Sequence, residues 1–327
     1  MELFESLKAQ IKGQNKTIVF PEAKDGRILG AVARLKADGL LNPILVGNPE
    51  EVKAAARERG LSLENIEILD PNNYDRFDEM VESFVERRAG KATVEQAESL
   101  LTNVNYFGTM LIHLGLADGM VSGAIHSTGD TIRPALQIIK TKPGAKAVSG
   151  AFLMVRSRDQ EKYIFADCAV NIDPDAPTLA SIAIDSAETA ASFGIEPKVA
   201  MLSFSTKGSA KHAFVDKVAE ATAIAKEAAP ELDIDGELQF DAAYDAVVAS
   251  QKAPESKVAG NANVFVFPDI QSGNIGYKIA QRLGGFEAIG PILQGLNKPV
   301  FDLSRGCNEE DVYKLAIVTA IQAVNGN

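Results

Sequence analysis

Short apolar runs alternate with amphipathic stretches along most of the chain, and this alternation predicts where strands and helices fall. Thr17-Ile-Val-Phe20 is almost wholly apolar and reads as a buried strand. A helix follows, with Ile28, Leu29, Val32 and Leu35 recurring at helical spacing. Pro43-Ile-Leu-Val46 and Ile66-Glu-Ile-Leu69 predict further strands. Between them Asn48-Pro-Glu-Glu51 reads as a helix start, with Asn as N-cap and Pro at the first helical position. Helical periodicity covers about 74–88 and 93–115. Met120-Val-Ser122 is a short strand that opens into a polar loop, and a helix runs through Ile132 to Ile139.

A second block begins near Ala147. Strands are predicted at 150–155, 163–166, 199–203 and 264–267, and helices at about 177–193, 212–229, 241–250 and 273–284. Apolar strands alternating with helices predict parallel sheets covered on both faces, in two such layers. Lys298-Pro-Val-Phe-Asp-Leu303 and the helix from about 308 make one strand and one helix, too little for a domain, so they return to the first sheet. A length of 327 residues also exceeds what one ordinary core serves. The expected organisation is a first α/β domain of residues 1–147 plus 292–327 and a second of 148–291.

Composition narrows the function. The chain is 46% hydrophobic and 24% charged, which is globular, and with no Trp its core must be built from Ala, Val, Ile and Leu. A net charge of −11 argues against a non-specific nucleic-acid or anionic-membrane surface, since both need clustered cations. Small anionic ligands remain open, because a few placed cations suffice. The only cysteines are Cys168 and Cys307. With no Cys-x-x-Cys pair or Cys/His cluster, neither a zinc site nor a disulfide framework is expected, and a reduced, cytoplasmic setting fits. The N-terminus has no apolar signal core, and no apolar run approaches the ~20 residues that span a bilayer.

Ligands of open α/β sheets bind beyond the carboxyl ends of strands. Four segments put small and polar residues there: Ser122–Asp130, Ser203–Ala210, Asp269–Gly276 and Asp302–Asn308. Each leads into a helix. The chain has no Gly-x-Gly-x-x-Gly, no P-loop and no Gly-x-Ser-x-Gly, so the common dinucleotide, nucleotide and serine-hydrolase patterns are missing.

Ser122-Gly-Ala-Ile-His-Ser-Thr-Gly-Asp-Thr-Ile-Arg-Pro-Ala-Leu-Gln137 resembles a signature of the phosphate acetyltransferases, within the phosphate acetyl/butyryltransferase family. So do Val199–Lys211, Asp235–Ala243 and Asp302-Leu-Ser-Arg-Gly-Cys-Asn-Glu-Glu-Asp311, in order along nearly the whole chain. The resemblance implies two three-layer α/β/α domains with mainly parallel sheets, similar to the decarboxylating-dehydrogenase fold, and an interdomain active-site cleft in a homodimer. It also implies reversible acetyl transfer between coenzyme A and inorganic phosphate in a ternary complex, with no acyl-enzyme. Coenzyme A is then a substrate, and no cofactor is bound permanently.

Residue by residue, the resemblance makes Asp311 the base for the coenzyme A thiol, Ser304 a hydrogen-bond donor and Arg305 a fork for phosphate or carbonyl oxygen. Arg133 is implied to bind anion, with Arg87 a second such residue. Ser127 and Thr128 are implied to offer hydroxyls and backbone N–H groups to the acyl phosphate. Complete proton transfer from a free thiol (pKa about 8.5) to an ordinary aspartate (about 3.9) costs about 6 kcal/mol. Burial of the base, or stabilisation of the thiolate by its neighbours, is therefore expected. By its sequence alone, Asn308-Glu-Glu-Asp311 is equally a helix-capping segment.

Some family members carry an active-site cysteine in the segment that here is Val155–Lys162, which has none. Cys168 reads as a small core hydrophobe and Cys307 as a neighbour of the site. A Cys/His nucleophile pair using His126 is disfavoured, and His113 and His212 read as surface or packing residues. The alternatives are phosphate butyryl transfer, a metal-dependent dehydrogenase of related fold, for which no acidic cluster can be assembled, and a non-catalytic acyl-coenzyme A sensor.

Overall fold

The computed structural model describes residues 2–156 and 161–326; the central part of the Val155–Lys162 segment lies outside them. Its strands are β1 (Thr17–Phe20), β2 (Asn42–Val46), β3 (Glu67–Leu69), β4 (Gly119–Ser122), β5 (Ser149–Arg156), β6 (Glu161–Ala166), β7 (Lys198–Leu202), β8 (Asp233–Leu238), β9 (Val264–Val266), β10 (Glu287–Gln294) and β11 (Val300–Asp302). The chain forms two compact units. The first comprises Phe4–Lys140 with Leu296–Asn327, and the second holds Thr141–Gly295.

The first unit carries a five-stranded sheet in the order β11-β4-β1-β2-β3, and every neighbouring pair is parallel. Ile18, Val19 and Phe20 have no exposed surface, as a central strand covered on both faces requires. On one face lies the helix Val104–His113, close enough that a Cβ on Gly108 would sit 3.0 Å from Met120 and Val19. On the other face the helix Glu309–Asn325 packs beside Gly26–Ala37, and its Thr319 approaches Gly119. The late strand β11 pairs with β4, Asp302 opposite Ser122. That register puts the two side chains on one face, towards Val104–His113, where Ser122 Oγ donates to Asn105 Oδ1 at 2.7 Å.

The second unit has six strands in the order β10-β5-β6-β9-β7-β8. Four of them, β6-β9-β7-β8, run parallel, but β5 pairs antiparallel with both β6 and β10. Neither β10 nor β8 shows in the apolar pattern. Gly290-Pro291 interrupts β10, and β8 reads Asp-Ile-Asp-Gly-Glu-Leu. Its acids are held by partners distant in sequence. Asp235 accepts from Lys207 at 2.6 Å and Lys226 at 2.8 Å, and these bonds outweigh burial to hold its pKa at about 2. Glu237 accepts from Ser205 Oγ at 3.0 Å and Gly208 N at 2.6 Å, so the resemblance segments at 199–211 and 235–243 lock each other in place.

The breaks between units fall at 140/141 and 295/296, near but not at the sequence boundaries. Residues 141–147 are held by the second unit: Lys142 pairs with Asp185 at 2.9 Å, its N–H bonds Gly295 O, and Lys146 N bonds Ser181 Oγ. Three local differences have clear causes. The stretch 93–115 is two helices, because Asn103 stops one and caps the next by accepting from Asn105 N and Tyr106 N. The helix expected through 132–139 starts at Thr128, and Pro134 lies inside it without an N–H. Ala135–Ile139 therefore widens to a π-helical turn, with Lys140 N donating to Ala135 O at 2.9 Å. An N-terminal helix, Glu2–Ile11, adds buried Leu7 and Ile11.

Candidate active site

Three loops leave the carboxyl ends of the adjacent strands β1, β4 and β11, and two side chains, buried Glu22 and half-buried Arg27, bind them together. Glu22, just past β1, is 3% exposed. Its carboxylate accepts from Ala124 N (2.7 Å), Ile125 N and His126 N (2.8 Å each), and lies 2.8 Å from His126 Nδ1. It is the template on which the loop after β4 is folded. Burial acts to raise the Glu22 pKa, but the His126 ring and the three N–H groups outweigh it and hold the carboxyl below its ordinary value. The Glu22 bond raises His126 against burial.

Arg27 does the same for the third loop. It donates to Ala124 O (2.8 Å), Arg305 O (2.9 Å) and Cys307 O (3.0 Å), while Asp25 holds the guanidinium at 2.8–2.9 Å and raises its pKa. Close approach of the loops depends on Gly123, whose φ is +106° and where a Cβ would lie 2.3 Å from Asp302 Oδ1 and 2.6 Å from Leu303 N. Arg27→Ala is expected to lower stability by about 2 kcal/mol and turnover about tenfold, since the carbonyls it gathers lose their common donor. Denaturant midpoints and the acetyl-transfer rate together check this, and an unchanged pair would refute the role.

The third loop carries Ser304 and Arg305, both exposed. Ser304 Oγ accepts from Gly306 N at 3.2 Å, and Ser304 O accepts from Cys307 N at 2.9 Å, a tight turn that presents both side chains outward. Asp311 closes a capping box with Asn308: Asn308 N donates to Asp311 Oδ2 (2.9 Å) and Asp311 N to Asn308 Oδ1 (3.0 Å). Asp311 is exposed, so the burial expected of the base is not found. It still lies within electrostatic reach of the Cys307 thiol, as do Arg27, Asp25 and Glu22.

Other expected site residues separate. Arg133 is exposed and folds back along its own helix, its Nη2 4.0 Å from where a Cβ of Gly129 would sit, and its charge helps lower Asp130. Ser127 caps the helix Thr128–Pro134 and its hydroxyl is taken up by Asp130, donating to Oδ2 at 2.7 Å. Thr128 is exposed as a residue, but its hydroxyl reaches inward and helps to stabilise ionised Asp302. Arg87 meets backbone carbonyls. Its guanidinium donates to Ile138 O (2.5 Å) and Ile139 O (3.0 Å), closing the end of the π-helical turn, and makes no hydrogen bond to the loop residues.

Glu22, Arg27 and Asp302 were not among the residues expected at the site. The first two stand in Pro21-Glu-Ala-Lys-Asp-Gly-Arg27, at the carboxyl end of a predicted strand, and that placement was the available signal. Asp302 is 2% exposed, and among the described residues its Oδ1 and the buried Thr131 Oγ1 have no hydrogen-bond partner. Burial pushes its pKa up to about 6, with Thr128 and Thr131 pulling the other way. The cysteines are poorly disposed as nucleophiles. Burial pushes the Cys307 thiol up to about 11 and the Cys168 thiol well above its ordinary value.

The second unit has a separate recess of about 490 Å³ at the ends of β7 and β9, lined by Phe204, Phe214, Phe240 and Phe267 among others. Its charged groups are engaged, Lys217 with Asp173 at 2.7 Å and Asp269 as a helix cap, so it offers apolar contact rather than a reacting group.

Guanidinium groups, exposed hydroxyls and buried carboxyls at the carboxyl ends of an all-parallel sheet define an α/β enzyme that handles a small anion. Residues 2–320 match the family described as phosphate acetyl/butaryl transferase, and the chain belongs to that family. It is 61% identical over 323 residues to a phosphate acetyltransferase of Bacillus subtilis, covering 99% of each chain, and 57% identical to one of Staphylococcus aureus, again covering 99% of each. A crystal structure of a phosphotransacetylase from Streptococcus pyogenes superposes with a TM-score of 0.97 at 62% identity, covering 99% of this chain and 98% of that one. A putative 4-hydroxythreonine-4-phosphate dehydrogenase from Salmonella typhimurium, at 15% identity and a TM-score of 0.51, shares the fold alone. The expected dehydrogenase-like α/β architecture therefore holds.

Proposed function

We propose that this chain transfers an acetyl group reversibly between coenzyme A and inorganic phosphate. The observation that carries the reading is the Arg27 tie, which fixes the Ser304–Arg305 turn against the loop after β4, at Ala124, at the ends of adjacent strands. The identity of 57–61% to phosphate acetyltransferases over the full chain supports acetyl over longer acyl groups.

In this reading the thiol of coenzyme A gives its proton to Asp311 and its sulfur attacks the carbonyl carbon of acetyl phosphate. The bond from that carbon to the bridging oxygen breaks, and inorganic phosphate leaves with the electron pair. Arg305 and Arg133 hold the phosphoryl oxygens, and Ser304 donates to the oxygen that gains charge. With Asp311 exposed, stabilisation of the thiolate by neighbouring groups supplies what burial of the base does not. Direct attack suits the high thiol pKa of Cys307, which argues against an acyl-cysteine. Coenzyme A is a substrate and no group is bound permanently. The enzyme works as a homodimer in the cytoplasm, where its two free cysteines remain reduced.

Phosphate-dependent loss of acetyl coenzyme A, with acetyl phosphate formed in equal amount, is the expected assay result, and butyryl coenzyme A should react more slowly. Binding of acetyl coenzyme A without turnover would overturn the reading in favour of a sensor.

A further inference from the structure

His126 is fixed from behind and open in front. Its Nδ1 is 2.8 Å from Glu22 Oε1, and its backbone N–H donates to the same oxygen. The Glu22 side chain is fully enclosed, whereas 26% of the His126 side chain reaches solvent. With Nδ1 donating to the carboxylate, Nε2 has no partner among the described residues. Neither tautomer nor ring orientation is free, because Glu22 is itself held by three backbone N–H groups. This is more than packing needs: a histidine serving the core would turn both nitrogens to partners inside it.

Resting on the acetyl-transfer reading, we propose that His126 binds the phosphate substrate directly, its Nε2–H donating to a non-bridging phosphoryl oxygen while Glu22 fixes the ring. The charged groups around it suit an anion only at that point. Glu22 and Asp25 follow β1, but Asp25 is paired with Arg27. Asp130 is turned back onto Ser127. Asp302 is buried under the loop, Arg133 and Arg305 add positive charge, and the Cys307 thiol is held un-ionised. The Glu22 bond, opposed by burial and helped by the charges of Glu22 and Asp130, keeps the ring protonated to higher pH than a free histidine. The imidazolium, and with it the phosphate contact, is present at low pH and lost as pH rises through the folded-state pKa.

The test uses the full chain labelled with ¹⁵N-histidine, which has three histidines. Their imidazole resonances are titrated with and without inorganic phosphate and without coenzyme A, and His126→Gln identifies the signal. By linkage, phosphate should move the His126 midpoint about half a pH unit higher and leave His113 and His212 in place. His126→Gln should raise KM for phosphate about tenfold, change kcat less, and remove the alkaline limb that His126 contributes to kcat/KM for phosphate. A midpoint unmoved by saturating phosphate overturns the proposal even if the variant fails to fold, as does an unchanged KM in a folded variant. Phosphate-shifted His126 in a protein that turns over no acetyl coenzyme A would sink the acetyl-transfer reading and leave the anion contact standing.

Discussion

Arg305→Ala should lower turnover by about 10²–10³-fold while the protein folds normally, the cost typical of removing one preorganised donor from developing negative charge. The fold should survive because the Arg305 side chain is exposed and its structural tie runs through its backbone carbonyl, which Arg27 holds and alanine keeps. Arg305→Lys keeps the charge but loses the planar fork, so it should recover only part of the rate. Initial rates of both variants, beside their unfolding curves, decide the matter. Near-normal turnover in Arg305→Ala would remove this guanidinium from the mechanism.

Asp302→Asn should stabilise the protein at neutral pH by about 3 kcal/mol, the largest stability change expected of any single substitution here. The buried carboxyl has its pKa raised from 3.8 to about 6, chiefly by burial. An acid that is harder to ionise when folded favours the folded state only while it keeps its proton. The penalty is therefore absent below pH 3.8, grows between there and about 6, and is complete above it. Asparagine cannot ionise and escapes this penalty. Denaturant unfolding of both proteins at pH 8 and pH 4 should show a gap at pH 8 that closes at pH 4. An equal gap at both values would mean that shape, not charge, is what Asp302 contributes. A carboxyl kept at such a cost beneath Thr128 and Thr131 fits the trade of stability for function common at active sites.

How much of this was legible in the sequence differs from element to element. β1 was readable because Ile18, Val19 and Phe20 are apolar without interruption. The Asn48 and Asn308 caps were readable because capping is a matter of neighbouring residues. The loop after β4 and the one after β11 were singled out, with those at 203–210 and 269–276, by the rule that ligands gather at strand ends. β8 and β10 were missed because their stability comes from distant partners: Lys207 and Lys226 neutralise Asp235, and β5 pairs along β10. The partners of Arg87 were hidden for the same kind of reason, since nothing near it in the chain tells that its guanidinium will meet the carbonyls of Ile138 and Ile139.

The sequence by itself determined the α/β class and the family, and marked polar loops at strand ends, because periodicity, caps and contiguous signatures are written in neighbouring residues. Only the tertiary structure decided that Glu22 and Arg27 would clamp those loops, that Asp302 would be buried with a raised pKa, and that Asp311 would remain exposed. Each of those outcomes depends on which groups from β1, β4 and β11 become neighbours, and desolvation and hydrogen bonding act between spatial neighbours however far apart they stand in the chain.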